Sequence, residues 1–141
     1  MIHASHFILY VAEQARARDF YVALIGAPPR LDVPGMTELE LGSGVVLGLM
    51  PERGIERLLG RTLPSPPFVK GTVRAEVYLV VDEPDAWHAR ALAAGARELD
   101  AARERDWGHR VSYVLDLDGH VLAFADDQRG RSLSGEEGAA R

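Results

Sequence analysis

HFILYVAEQARARDFYVALIG, residues 6–26, is answered further along the chain by EVYLVVDEPDAWHARALAAG, residues 76–95. Each stretch opens as a short apolar strand and then changes period. In the first, Ala17, Phe20, Tyr21, Leu24 and Ile25 recur at i, i+3, i+4, i+7 and i+8, with Arg16, Arg18 and Asp19 elsewhere. That spacing predicts an amphipathic helix over 13–26, with Gly26 as its stop. In the second, Pro84 suits a first helical turn, Asp82 is a candidate cap and Gly95 the terminator, so an Ala-rich helix is expected over 84–94. His6 falls on Glu76, and Gly26 falls nearly on Gly95.

Beyond these stretches, period-2 apolar runs predict strands at 7–11, 37–41, 45–50, 77–81, 110–116 and 121–125, with weaker ones at 30–33 and 97–101. The last two strands of each half are joined by a tight turn, Gly42-Ser43-Gly44 in one and Asp118-Gly119 in the other. Both halves therefore read β-α-β-β-β, and the fold class is α+β. A single domain over 1–126 is expected, made of repeated modules at about 4–50 and 74–126. Residues 51–73 form the linker, proline-rich at Ser65-Pro66-Pro67, yet too apolar at Leu58, Leu59, Leu63 and Phe68 to be idle. The polar, Gly/Ser-rich stretch 127–141 reads as a flexible tail.

At 141 residues the chain can bury a core without disulfides or a structural metal. With no cysteine there is no thiol nucleophile, zinc ribbon or iron–sulfur cluster, which suits a reducing cytoplasm. Sixteen basic against twenty-one acidic residues give a net charge of -5, and the arginines are scattered, so nucleic acid is not an expected partner. No apolar run approaches a membrane span, and the opening MIHASHFILYV lacks a secretory pattern, so a cytoplasmic protein is expected. There is no G-x-S-x-G elbow, H-E-x-x-H helix, Walker loop or dinucleotide glycine fingerprint. Asp116 to Gly119 lacks the remaining calcium ligands of an EF-hand and reads as a hairpin turn.

The opening HFILYVAEQARARDFYVALIG and the closing DWGHRVSYVLDLDGHVLAFAD (106–126) resemble the vicinal oxygen chelate superfamily, the glyoxalase, bleomycin-resistance and extradiol-dioxygenase group. The resemblance covers about residues 4–126 and implies paired β-α-β-β-β modules whose curved mixed sheets form a ligand-holding cup, commonly in a homodimer. In metal-dependent members that resemble this chain, four ligands come from the first and fourth strands of the modules. His6 matches the first position. Gly48 stands where a carboxylate is expected, Glu76 where many members have His, and Ala123 where most have Glu. Their neighbours, Leu47 and Leu49, Leu122 and Phe124, offer no donor either. The pattern is closest to the metal-independent, bleomycin-resistance-like members.

Alternation then assigns the cup. If His6 points inward, so do Ile8 and Tyr10; Glu76 brings Tyr78 and Val80; Gly48 comes with Val46 and Met50, and Ala123 with Val121 and Ala125. Phe7, Leu9, Val11, Val77, Leu79 and Val81 would pack beneath the helices, and the small residues 48 and 123 would leave room for a guest. His6 and Glu76 read either as a hydrogen-bonded polar pair or as the remnant of a divalent-metal site completed by waters. Trp107 either stacks on a ligand or covers a core edge, and Trp87 reads as packing. Arg110 either binds an anion or is an exposed strand-end residue; His109 and His120 read as rim or turn residues.

Three functions follow. The first is metal-independent binding of a small planar or amphipathic molecule, as in drug sequestration, with the acidic balance favouring a cationic guest and no cofactor. The alternative is a divalent-metal lyase or dioxygenase using His6 and Glu76. The third is an interaction module whose cup is filled by its own side chains, such as Phe68 or Met50.

Overall fold

A computed structural model describes residues 1–63 and 73–127. The chain divides into two compact units at residues 72 and 73, with the turn Leu117–Gly119 counted in the first unit. The first contains β1 (Ser5–Val11), α1 (Gln14–Ile25), β2 (Leu31–Val33), β3 (Met36–Gly42), β4 (Val45–Pro51) and α2 (Glu52–Leu59). The second contains β5 (Glu76–Val80), α3 (Pro84–Ala93), β6 (Arg97–Glu104), β7 (His109–Leu115) and β8 (Val121–Asp127). Each has a four-stranded mixed sheet, ordered β1-β4-β3-β2 in one and β5-β8-β7-β6 in the other. The expected β-α-β-β-β repeat is thus present twice.

In both units the last strand pairs in parallel with the first, His6 opposite Val46 and Glu76 opposite Val121. The crossover helix then covers one face. On α1, Ala17, Phe20, Tyr21 and Leu24 are buried, and Gly26 ends the helix in the left-handed region at φ 78° with its N–H on Val22 O. On α3, Pro84 occupies the first turn as expected, but the N-cap position falls on Glu83 rather than Asp82, and the Glu83 side chain makes no capping hydrogen bond. Trp87 packs on the buried Phe124, ring centroids 5.9 Å apart, with the Arg90 guanidinium 4.4 Å from its own centroid.

The short β2 is held by polar contacts. Gln14 Nε2 donates to Val33 O and Thr37 Oγ1, while the Thr37 hydroxyl and Arg18 both donate to Asp32. Together they hold the Asp32 carboxyl below its usual value, the hydroxyl being the larger cause. In the β7–β8 turn, Asp116 Oδ1 accepts from His120 N–H and Asp118 Oδ1 from Ala12 N–H, so these aspartates cap backbone. That agrees with a hairpin turn.

Some expectations need correction. The linker begins with a helix: α2 buries Ile55 and leaves Leu58 and Leu59 exposed. Its proline segment and Phe68 lie outside the described residues, as does the tail from 128. The face assigned to helix packing is only partly covered, with Val11 fully buried but Phe7 61% exposed. The apolar alternation is the same at both, and β1 is an edge strand of its sheet, where the register partner of Phe7 on the inner strand, Leu47, is buried.

Leu49 is completely buried on the central strand β4. Leu49→Ala is expected to cost about 2–5 kcal/mol of unfolding free energy, read by urea denaturation.

Candidate functional site

The register fixes which side chains share a face. Across the first sheet, Ile8, Gly48 and Glu38 lie in one row; across the second, Tyr78, Ala123 and Tyr113 do. Gly48 and Ala123 are therefore equivalent positions of the repeat. Neither leaves an opening. A Cβ on Gly48 would lie 3.0 Å from Ile8 Cγ1 and 3.2 Å from Met36 Sδ. Ala123 is fully buried in a cluster with Val111 and Ala125, against which Tyr78 and Tyr113 pack. The room expected there is filled by neighbouring side chains, because a long residue on a flanking strand leans over a small one on the central strand.

Within the first unit, His6 finds its carboxylate on β3. His6 Nδ1 lies 3.2 Å from Glu38 Oε2, and Arg30 Nε donates to Glu38 Oε1 at 3.0 Å. The two strands bearing His6 and Glu38 flank β4, so this contact crosses it near Gly48. The carboxylate that sequence reasoning offered His6 was Glu76, which sits on β5 opposite Val121 and is exposed. Glu38 and Arg30 were missed. MTELELG (36–42) does show two glutamates alternating with buried Thr37 and Leu39, but only the β1-β4-β3 order brings one of them to His6. Of the remaining first-unit residues, Ile8 is exposed, Tyr10 is half-buried, and Met50 reaches α2, its Cε 3.4 Å from a Cβ built on Gly54.

In the second unit the polar centre is a hydroxyl. Tyr78 Oη accepts from Trp107 Nε1–H at 3.0 Å and lies 2.6 Å from His109 Nδ1. A phenol that accepts from an indole still has its own hydrogen to give and a second lone pair, so it can pair with either tautomer of His109. His109, expected at the rim, is thus part of the group. Tyr113 is covered on its other side by the Arg105 guanidinium, 5.1 Å from its centroid, which also donates to Asp100 and to Val111 O. Arg105 holds the Asp100 carboxyl below its usual value. Burial chiefly, and then the charge of Glu76, push the Tyr113 phenol above its ordinary 10.0.

Arg110 lies elsewhere. It alternates with Val111 on β7, so it shares the helix face with Ser112, where it binds Asp85 of α3 through both Nε and Nη2 at 3.2 Å. A strand-end arginine held by a helix carboxylate is not on the face of Ala123 and Tyr113.

A divalent ion requires three or four converging donors. Positions 48 and 123 supply none, and among the described residues no group of three or more His, Asp or Glu converges. His6 retains Nε2, but the carboxylate behind it is shared with a guanidinium. This donor set does not fit a resident divalent metal.

Over residues 3–124 the chain matches the model of the Glyoxalase/Bleomycin resistance protein/Dioxygenase superfamily, and it belongs to that family. It is 30% identical over 124 residues to an uncharacterized protein of Mycobacterium bovis, covering 86% of this chain and 81% of the relative. Among solved structures it resembles a glyoxalase/bleomycin resistance protein/dioxygenase family enzyme from Burkholderia phytofirmans, with TM-score 0.74, 16% identity and coverage of 86% and 96%. It also resembles a glyoxalase-related enzyme from Fulvimarina pelagi, with TM-score 0.73, 20% identity and coverage of 89% and 88%. At those identities the structures speak for the fold.

Since Tyr113 is held protonated in the folded protein, raising the pH past the unfolded phenol's value destabilises the fold until the folded value is passed. Spectrophotometric titration of Glu76→Gln is expected to show Tyr113 ionising at lower pH than in the wild type, yet still above 10.0, because burial remains.

Proposed function

We propose that this protein binds a small planar or amphipathic molecule without a metal, and each unit, taken by itself, offers a sheet face for it, with His6 and Glu38 in the first and Tyr78, His109 and Trp107 in the second. The observation that carries this reading is the replacement of chelating side chains at positions 48 and 123 by a glycine and an alanine roofed with Ile8, Met36, Tyr78 and Tyr113. What remains is an apolar surface with a few fixed polar groups, the usual composition of a small-molecule site. Trp107, 46% exposed, is tethered by its N–H and leaves ring surface for stacking. Sequestration of an aromatic, drug-like compound is the role that needs no further chemistry, and the net charge of -5 favours a cationic guest.

The divalent-metal lyase or dioxygenase reading has one observation in its favour: His6 Nδ1 lies 3.2 Å from a carboxylate oxygen, and metal-ligating histidines commonly have a carboxylate behind them. The missing donors weigh against it.

A homodimer is part of the proposal. Phe7 on β1 of one unit and Val80 on β5 of the other are exposed apolar residues on edge strands, and association would cover such residues. No described helix is long and apolar enough to cross a membrane. Together with the absence of cysteine, this supports a cytoplasmic location.

Isothermal calorimetry with a planar aromatic cation such as ethidium is expected to give saturable binding that is unchanged by EDTA. Binding that disappears with chelator and returns with nickel, zinc or iron would move the assignment to the metal enzyme. Sedimentation equilibrium is expected to show a dimer that Phe7→Lys weakens.

A further inference from the structure

We propose that the groove where β5 passes into α3 is a separate site for a small zwitterion, a molecule with an ammonium at one end and a carboxylate at the other. A cavity of about 540 Å³ opens there, with Val81, Asp82, Glu83, Ala86, Trp87 and Arg90 in its wall. That volume suits a small molecule. Its lining shares no residue with the sheet face of Tyr78, His109 and Trp107, so the site goes beyond the reading above and does not depend on it.

The helix sets the layout of this wall. Glu83, Trp87 and Arg90 recur at i, i+4 and i+7, so they share one face of α3, and the small Ala86 beside them keeps that face low. Trp87 is half-buried and held from two directions, by Phe124 with ring centroids 5.9 Å apart and by the Arg90 guanidinium 4.4 Å from its centroid. Glu83 occupies the N-cap position, yet its side chain makes no capping hydrogen bond and is exposed. Among the described residues, neither the Glu83 carboxylate nor the Arg90 guanidinium has an ion-pair partner. Two helical turns, about 10 Å of rise, separate the two positions, and the charges do not meet. Asp85, the carboxylate of the first turn, is by contrast taken up by Arg110.

Opposite charges that face one cavity without neutralising each other select a ligand by elimination. A simple anion would be repelled by Asp82 and Glu83 at the start of the helix. A simple cation would compete for Trp87 with the guanidinium that already covers it. A molecule with both charges finds a partner at each end, its ammonium at Glu83 and its carboxylate at Arg90, while its carbon chain lies along Val81 and Ala86.

The test titrates the protein with 4-aminobutanoate, 6-aminohexanoate and 8-aminooctanoate, each beside the plain amine and the plain carboxylate of the same chain length. Proton–nitrogen NMR follows the indole N–H signal of Trp87. One of the three zwitterions is expected to bind about fivefold more tightly than both of its single-charge analogues, the worth of one further ion pair at an open site. Its advantage over the amine is expected to vanish in Arg90→Gln, and its advantage over the carboxylate to fall in Glu83→Gln. Both side chains are exposed, so the circular dichroism of the variants is expected to match the wild type. Equal affinity for the three members of every set overturns the proposal, as does the failure of all three zwitterions to bind. A response confined to the Trp107 indole, or an advantage that survives both substitutions, places the ligand elsewhere and overturns it too. None of these results bears on calorimetry with a planar cation, which tests the sheet-face reading separately.

Discussion

The parallel pairing of the first and last strand in each module is the constraint from which the remaining geometry follows. A parallel neighbour cannot be reached by a hairpin, so the chain must cross over with a helix and two further strands before returning. The returning strand inserts between the first strand and the third, which makes β4 and β8 the central, most buried strands. Whatever occupies a position on them decides whether side chains from the two flanking strands can meet. At Gly48 the flanking residues His6 and Glu38 do meet. At Ala123, two phenols cover the gap.

Viewed through that register, the repeat preserves geometry while its chemistry diverges. The row Ile8–Gly48–Glu38 corresponds to Tyr78–Ala123–Tyr113. One module carries a carboxylate on β3, the other a phenol on β7 clasped by a guanidinium. The polar groups that survive are buttressed: Glu38 by Arg30, Tyr78 by Trp107 and His109, Arg105 by Asp100. Pairing offsets the cost of removing such polar groups from water, and it also fixes their orientation.

Most of the fold was legible because it is written in local periodicity. The 3.6-residue spacing of Ala17, Phe20, Tyr21 and Leu24 defines α1, and every strand has its alternating run. The α2 helix escaped notice because Glu52–Leu59 buries only Ile55 and sits where prolines and glycines suggest a linker. Positions 6 and 76 could be found by repeat matching and 48 and 123 through the family resemblance, whereas the partner of His6 could not. The His6–Glu38 contact depends on strand order and on a residue that is absent at 48, and neither is a property of neighbouring letters. The face of Arg110 was recoverable from its alternation with Val111 and Tyr113, had its parity been compared with Ala123.

The edge position of β1 has a consequence for the chain before it is fully folded. Its outward backbone amides and carbonyls carry Phe7 and Ile8, and it has none of the lysines, prolines or bulges that blunt exposed strands elsewhere. A nascent or partly unfolded copy displaying this ribbon is a ready template for cross-β growth. Colloidal solubility in a crowded cell therefore depends on how seldom two such margins meet.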